Sequence, residues 1–118
     1  MARYIGSCKA ATSLKTIRHL ITDVLETCDF NLVYEKDDYF FAKELPGGVK
    51  FSKLVTLEVV IDNYSRPPSR VEDSELQMRF VIKNEELPLN RDNHCRRKFD
   101  HVRQAIAESA ELELLDAA

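Results

Sequence analysis

Glycine is scarce in this chain. There are three, Gly6, Gly47 and Gly48, and two of them are adjacent. Neither a phosphate-cradling Walker loop nor a GxGxxG dinucleotide turn can be built from them, because both need several glycines at fixed spacing. No GxSxG elbow and no HExxH helix occurs either, which removes two common local signatures of hydrolases. Cysteine is also sparse. Cys8, Cys28 and Cys95 are far apart and form no CxxC pair. An odd number of thiols behind a start, MARYIGSCKA, that has no apolar leader suggests reduced cysteines in a cytoplasmic compartment. Long hydrophobic runs are missing. The longest aliphatic run is Val59-Val60-Ile61, far short of a membrane-spanning helix. Residue 2 is Ala and the end, LLDAA, has no cysteine, so no lipid anchor and no membrane partner are expected.

Excess positive charge is missing too. The 118 residues carry 17 Lys and Arg against 20 Asp and Glu, a net charge of −3. A dedicated nucleic-acid coat would be basic overall. The balance is uneven along the chain, however. Arg91, Arg96, Arg97, Lys98 and Arg103 face only Asp92 and Asp100, and beyond Gln104 there are Glu108, Glu111, Glu113 and Asp116 with no base.

What is present suits one globular domain over 1–118. With 44% hydrophobic residues, a chain of this length buries roughly two-thirds of its unfolded surface. Residues 2–10 are ambiguous: Arg3-Tyr4-Ile5 reads as a short strand ended near Gly6, or as a loose lead-in. A first helix follows. Thr12 and Ser13 are N-cap types, and Leu14, Ile17, Leu20, Ile21, Val24, Leu25 and Cys28 form one stripe at a 3.6-residue period. The period then changes to two. In FNLVYE, Phe30, Leu32 and Tyr34 share a face; Lys36-Asp37-Asp38 is a turn; YFFAKE returns as the second arm of a hairpin. Pro46-Gly47-Gly48 ends it. A long strand over 49–61 is expected, with Val49, Phe51, Val55, Leu57, Val59 and Ile61 on one face, Val60 the exception, and Lys53 marking a bulge or an edge. The polar stretch NYSRPPSRVED is a long loop, flexible over about 63–74. Leu76, Met78, Phe80 and Ile82 then alternate in a strand antiparallel to its predecessor. A second helix starts near Asn93, with Cys95, Phe99, Val102, Ile106 and Ala110 inward, and ELELL at 111–115 is read as its continuation. The termini are expected to fray.

The expected fold class is therefore α+β. It is a single four-stranded antiparallel sheet in the order helix-strand-strand-strand-strand-helix, with two amphipathic helices packed on one face.

Three sharp chemistries compete with a plain solvated surface. Zinc would use His94, Cys95 and His101, but adjacent helical side chains point about 100° apart and a structural site wants four ligands. Cys95 fits the apolar stripe instead, so no metal or other cofactor is expected. Nucleic acid would use Arg96, Arg97, Lys98 and Arg103 with Arg66 and Arg70, and Tyr34, Tyr39, Phe40 and Phe41 as a stacking platform only where they face solvent. Catalysis has no nucleophile or base signature, so no catalytic residue is named. Elimination leaves a non-enzymatic protein-interaction domain, an adaptor, regulator or assembly factor. Its candidate partner-binding residues are Tyr64, Arg66, Pro67, Pro68 and Arg70 in the loop and Arg96, Arg97 and Arg103 on the second helix. An RNA- or DNA-binding module using the same bases is the first alternative, and a small enzyme with an unrecognised site the second. A sheet edge offers a further contact surface, for a homodimer or an added strand.

Overall fold

The computed structural model describes residues 1–11, 13–62, 75–87, 89, 92–109 and 112–115. Residues Ala2–Ala11 are neither a lead-in nor a short strand but the ten-residue strand β1. Its inward side chains are Ala2, Tyr4, Gly6, Cys8 and Ala10, of which only Tyr4 is large. Gly6 does not end the strand. A Cβ there would lie 2.2 Å from Phe80 Cζ, so the missing side chain makes room for a ring.

Helix α1 (Leu14–Thr27) starts where the sequence places it, with the Ser13 hydroxyl accepting from the Thr16 N–H. Ile17, Ile21 and Leu25 are buried on one stripe. The helix ends at Cys28, and Asp29 turns the chain with a φ of 61°, the left-handed conformation that closes many helices. Strands β2 (Phe30–Lys36) and β3 (Tyr39–Glu44) form the expected hairpin. A register shift between Leu32 and Tyr34 overturns one expectation: Phe30 and Leu32 face inward, but Tyr34 pairs with Phe41 on the opposite side. A bulge adds a residue to one strand and so reverses the faces beyond it. Glu35 is turned toward α1, where it accepts from Arg18 at 2.6 Å.

The expected strand over 49–61 is shorter. Phe51–Lys53 is a 3₁₀ turn, and strand β4 is Thr56–Asp62. The reason is pairing. β3 ends at Glu44, whose N–H donates to the Val55 carbonyl at 3.0 Å, so residues before Val55 have no stretch of β3 to bond along, and Phe51 projects into solvent at 83% exposure. β5 (Glu75–Asn84) lies antiparallel to β4, as expected. Helix α2 (His94–Ala107) is capped by Asn93, whose side chain accepts from the Arg96 N–H, and buries Cys95, Phe99, Val102 and Ile106. Lys98 is buried as well, against the expectation of a free base: its ammonium donates to the Cys28 carbonyl and lies 4.8 Å from the Phe30 ring centre. The predicted helical continuation is instead strand β6 (Leu112–Leu115), which pairs antiparallel with β1. Leu112 and Leu114 sit two apart, as a strand facing one side requires.

The strand order is β2-β3-β4-β5-β1-β6. The expected four-stranded sheet thus becomes five longer strands with the short β6 added at one edge, and a strand precedes the first helix. The α+β class, the antiparallel sheet and the two helices stand. Ile21 and Leu25 of α1 and Val102 and Ile106 of α2 converge on Leu57, Val59, Met78 and Phe80. Both helices therefore cover the same face, and among the described residues nothing covers the other, the open face. No described helix is long and apolar enough to cross a membrane.

Candidate functional site

The loop residues Tyr64, Arg66, Pro67, Pro68 and Arg70, like Ala110, lie outside the described residues. The helix-two arginines are placed, and each has a local engagement. Arg96 lies over the Tyr4 and Phe99 rings, 5.4 and 5.6 Å from their centres, and its Nε donates to Asp100 at 3.3 Å. Arg97 donates to Asp92 at 2.8 Å. Arg103 stands over Phe99 at 5.6 Å. Tyr4, Asp92, Arg96, Arg97 and Asp100 together line an open hollow of about 500 Å³. These are solvent-facing pairs, worth about 0–1 kcal/mol each, so a partner can displace them.

The supposed metal ligands diverge. The His94 ring nitrogen meets both oxygens of Glu44, at 2.8 and 3.0 Å. The Cys95 thiol points at the carbonyls of Ala2 and Ile82, 3.8 and 3.6 Å away, in the apolar seam. His101 is exposed. Among the described residues no group of three His, Cys, Asp or Glu could hold a metal ion. The polar groups around His94 anchor the start of α2. Glu86 accepts from the backbone N–H of Cys95 at 2.9 Å and from Asn84 Nδ2 at 2.6 Å. Burial alone would raise the Glu86 carboxyl. The bonds from Asn84, Cys95 and His94, with the charge of Lys53, outweigh that and hold it below its ordinary value. An acid at a helix N-terminus also complements the macrodipole.

The surface that the fold leaves unassigned is the open face of the sheet. Its central cross-strand row is Tyr34–Phe41–Glu58–Val81–Ile5. On one side lies the row Lys36–Tyr39–Val60–Arg79–Ser7. On the other lies Asn31–Lys43–Thr56–Lys83–Arg3. Tyr34, Ile5 and Val60 are 47%, 44% and 41% exposed. These rows carry five bases and one acid. The acid, Glu58, is already engaged: Tyr39 donates to it at 3.1 Å and Lys83 stands 3.6 Å away. Burial first, and then this bond to a carboxylate, raise the Tyr39 hydroxyl above an ordinary phenol. At the end of the sheet a groove of about 800 Å³ is lined by Val33, Leu45, Pro46, Phe51 and Leu54 together with Lys43 and Lys83.

Of the four aromatics considered as a platform, Tyr34, Tyr39 and Phe41 face the open side and Phe40 is buried. The sequence did hold a signal for this face. In a strand of period two, the doublets Phe40-Phe41 and Val59-Val60 oblige one member of each to point outward.

The three thiols are buried and form no disulfide. Burial pushes Cys8 and Cys95 up to about 12 and Cys28 up to about 11, the last in spite of Lys98 nearby. A thiol in that range is protonated and inert at neutral pH. No protein-family model, curated protein or solved structure matches this chain.

Proposed function

We propose that this chain is a small non-catalytic protein-interaction domain, an adaptor, regulator or assembly factor, which holds another protein on the open face of its sheet. One observation carries this. Both helices cover one face, and the other presents Tyr34, Phe41, Val60, Val81 and Ile5 among bases with nothing above them in the described structure. Contiguous apolar surface rimmed by polar groups is the usual mark of a binding face. The arginines of α2 lie on the helix side of the molecule and form a second, more polar contact region. Three buried, unpaired thiols suit a reducing, cytoplasmic setting.

The test is a pull-down from native lysate with the wild type, a Phe41→Ser/Val60→Ser variant and an Arg96→Glu/Arg97→Glu variant, each checked for unchanged circular dichroism. The expected result is loss of specific partners from the open-face variant. A partner set that is identical for wild type and open-face variant overturns the proposal.

A second function has a specific observation behind it: Tyr34 and Phe41 are aromatic, adjacent and flanked by bases, as in single-strand nucleic-acid platforms. Against it, Glu58 occupies the middle of the row, and Val60, Val81 and Ile5 offer no ring to stack on. A salt-graded oligonucleotide column separates the two, since phosphate binding weakens steeply with salt.

A further inference from the structure

The open face has a pattern as well as a composition. Its central row, apolar except for Glu58 in the middle, runs across the strands and is bordered by bases on both long sides: Lys36 and Arg79 along one, Lys43, Lys83 and Arg3 along the other. Lys83 is paired with Glu58. Arg3, Lys36, Lys43 and Arg79 make no ion pair among the described residues. The next row of the same face, Asp62–Gln77–Lys9, adds one acid and one base, and Asp38 and Asp62 lie near Arg79. The surplus of base is on the three inner rows, in a chain that has more acid than base in total, 20 against 17. The row crosses five strands. At about 4.8 Å between neighbours, its ends are roughly 19 Å apart.

From this geometry we infer that the partner segment is an acidic amphipathic helix, one whose apolar stripe is bordered on both sides by Asp and Glu. A line of apolar residues between two lines that carry bases is the mirror of such a helix, and the one acid in it, Glu58, is already held by Tyr39 and Lys83. At 1.5 Å per residue, about 13 residues cover the row. Leu, Ile or Phe at the third- and fourth-residue spacing would rest on Tyr34, Phe41, Val81 and Ile5, and the bordering carboxylates would meet Lys36 and Arg79 on one side and Lys43 and Arg3 on the other. A flexible end of the segment would reach the groove beside Phe51 and Leu54. An extended strand fits less well, because its side chains alternate toward and away from the face and cannot border one apolar line on both sides. A nucleic-acid strand fits less well for the reasons given above.

The inference rests on the open face being the docking surface. Its test uses a fluorescein-labelled model helix with a Leu stripe bordered by Glu, read by anisotropy. The comparison probes are the same Leu stripe bordered by Lys, and a labelled oligothymidylate. The Glu-bordered helix is expected to bind at least tenfold more tightly than either, and more weakly as salt rises. Lys43→Glu/Arg79→Glu is expected to lose at least tenfold, Lys43→Gln/Arg79→Gln less, and Phe41→Ser/Val81→Ser at least tenfold with little salt dependence in the loss. Equal binding of the Glu- and Lys-bordered helices, no binding of the Glu-bordered helix, or preference for the oligothymidylate overturns the inference. Partners lost from the Phe41→Ser/Val60→Ser pull-down, with no binding of the model helix, would sink the helix and leave the docking domain standing.

Discussion

Val59 and Val60 are neighbours in β4 and have the same side chain, yet one is 4% exposed and the other 41%. The whole sheet repeats that contrast. On the covered face each position is fitted to something above it: Gly6 to the Phe80 ring, Phe80 and Tyr4 to Phe99 at 5.7 and 5.6 Å between ring centres, Cys95 to the carbonyls of β1 and β5. On the open face nothing in the described structure lies above the side chains. Packing therefore accounts for the first face and is silent about the second. The residues there answer to solvation, to strand preference or to a partner.

The largest difference is expected between two phenylalanines. Phe80→Ala on the covered face empties a ring-sized space in the core and is expected to cost about 3–5 kcal/mol. Phe41→Ala on the open face removes only a cross-strand pair with Tyr34, worth about 0.2–1 kcal/mol. Urea denaturation of the two variants measures both. Comparable losses would mean that the open face is as much a part of the folding core as the covered one.

Next in size is Gly6→Ala. The new methyl would sit within 2.2–2.8 Å of three Phe80 ring atoms, and overpacking of this kind costs about 1–3 kcal/mol. The double variant Gly6→Ala/Phe80→Leu should be less destabilised than the sum of its parts, because the two sites compete for one space. Strict additivity in the denaturation midpoints would break the account of Gly6 as a seat for the ring.

The covered face also has its own pH signature. Folding lifts the thiols of Cys8 and Cys95 from 9.0 to about 12 and that of Cys28 to about 11. Between those values the unfolded chain has released protons that the folded chain still holds, so stability is full below about pH 9 and falls as pH rises. By pH 10 the loss is about 1.4 kcal/mol per thiol. Urea midpoints at pH 8 and pH 10 for the wild type and a Cys8→Ala/Cys28→Ala/Cys95→Ala variant isolate this part. The variant, although less stable at pH 8, is expected to lose less on going to pH 10. Equal losses would show that the thiols ionise as readily in the fold as outside it.

How much of this was legible in the sequence differs by element, for physical reasons. Both helices were, because large apolar residues recur at 3.6 and Ser13 and Asn93 are strong caps. The hairpin was, because its turn is short and polar. β1 was not. Its inward residues are mostly Ala, Gly and Cys, and a strand that makes room for rings from its neighbours leaves a weak alternation of its own. The bulge at Val33 was hidden because Leu32 and Val33 are both apolar, so either register satisfied the pattern. Four residues of Leu and Glu fit both periods, so the pattern at β6 does not separate a strand from a helical continuation. The arginines of α2 were visible as charges, but their pairing with Asp92 and Asp100 and the sinking of Lys98 beneath Phe30 depend on tertiary placement. The open face was half legible, in the doublets Phe40-Phe41 and Val59-Val60.

The smallest expected effect decides the most. Branched and aromatic residues suit strands whether or not anything binds them, so Ile5, Val60 and Val81 have a plain alternative explanation: they stabilise the ladder. Threonine separates the two explanations. It keeps the β-branched shape and the strand preference but puts a hydroxyl, which solvent can satisfy on an uncovered face, in place of a methyl of Val or the ethyl of Ile. If these residues serve a partner, Ile5→Thr/Val60→Thr/Val81→Thr should unfold within about 0.5 kcal/mol per site of the wild type, the usual range for surface changes, while losing most of its binding to the Glu-bordered helix. If they serve the sheet, stability should fall by clearly more than that and binding should follow stability. Threonine at Val59, Ile61 and Ile82 of the covered face buries hydroxyls among apolar neighbours and must cost more per site on either view, which supplies the internal scale against which the open-face result is judged.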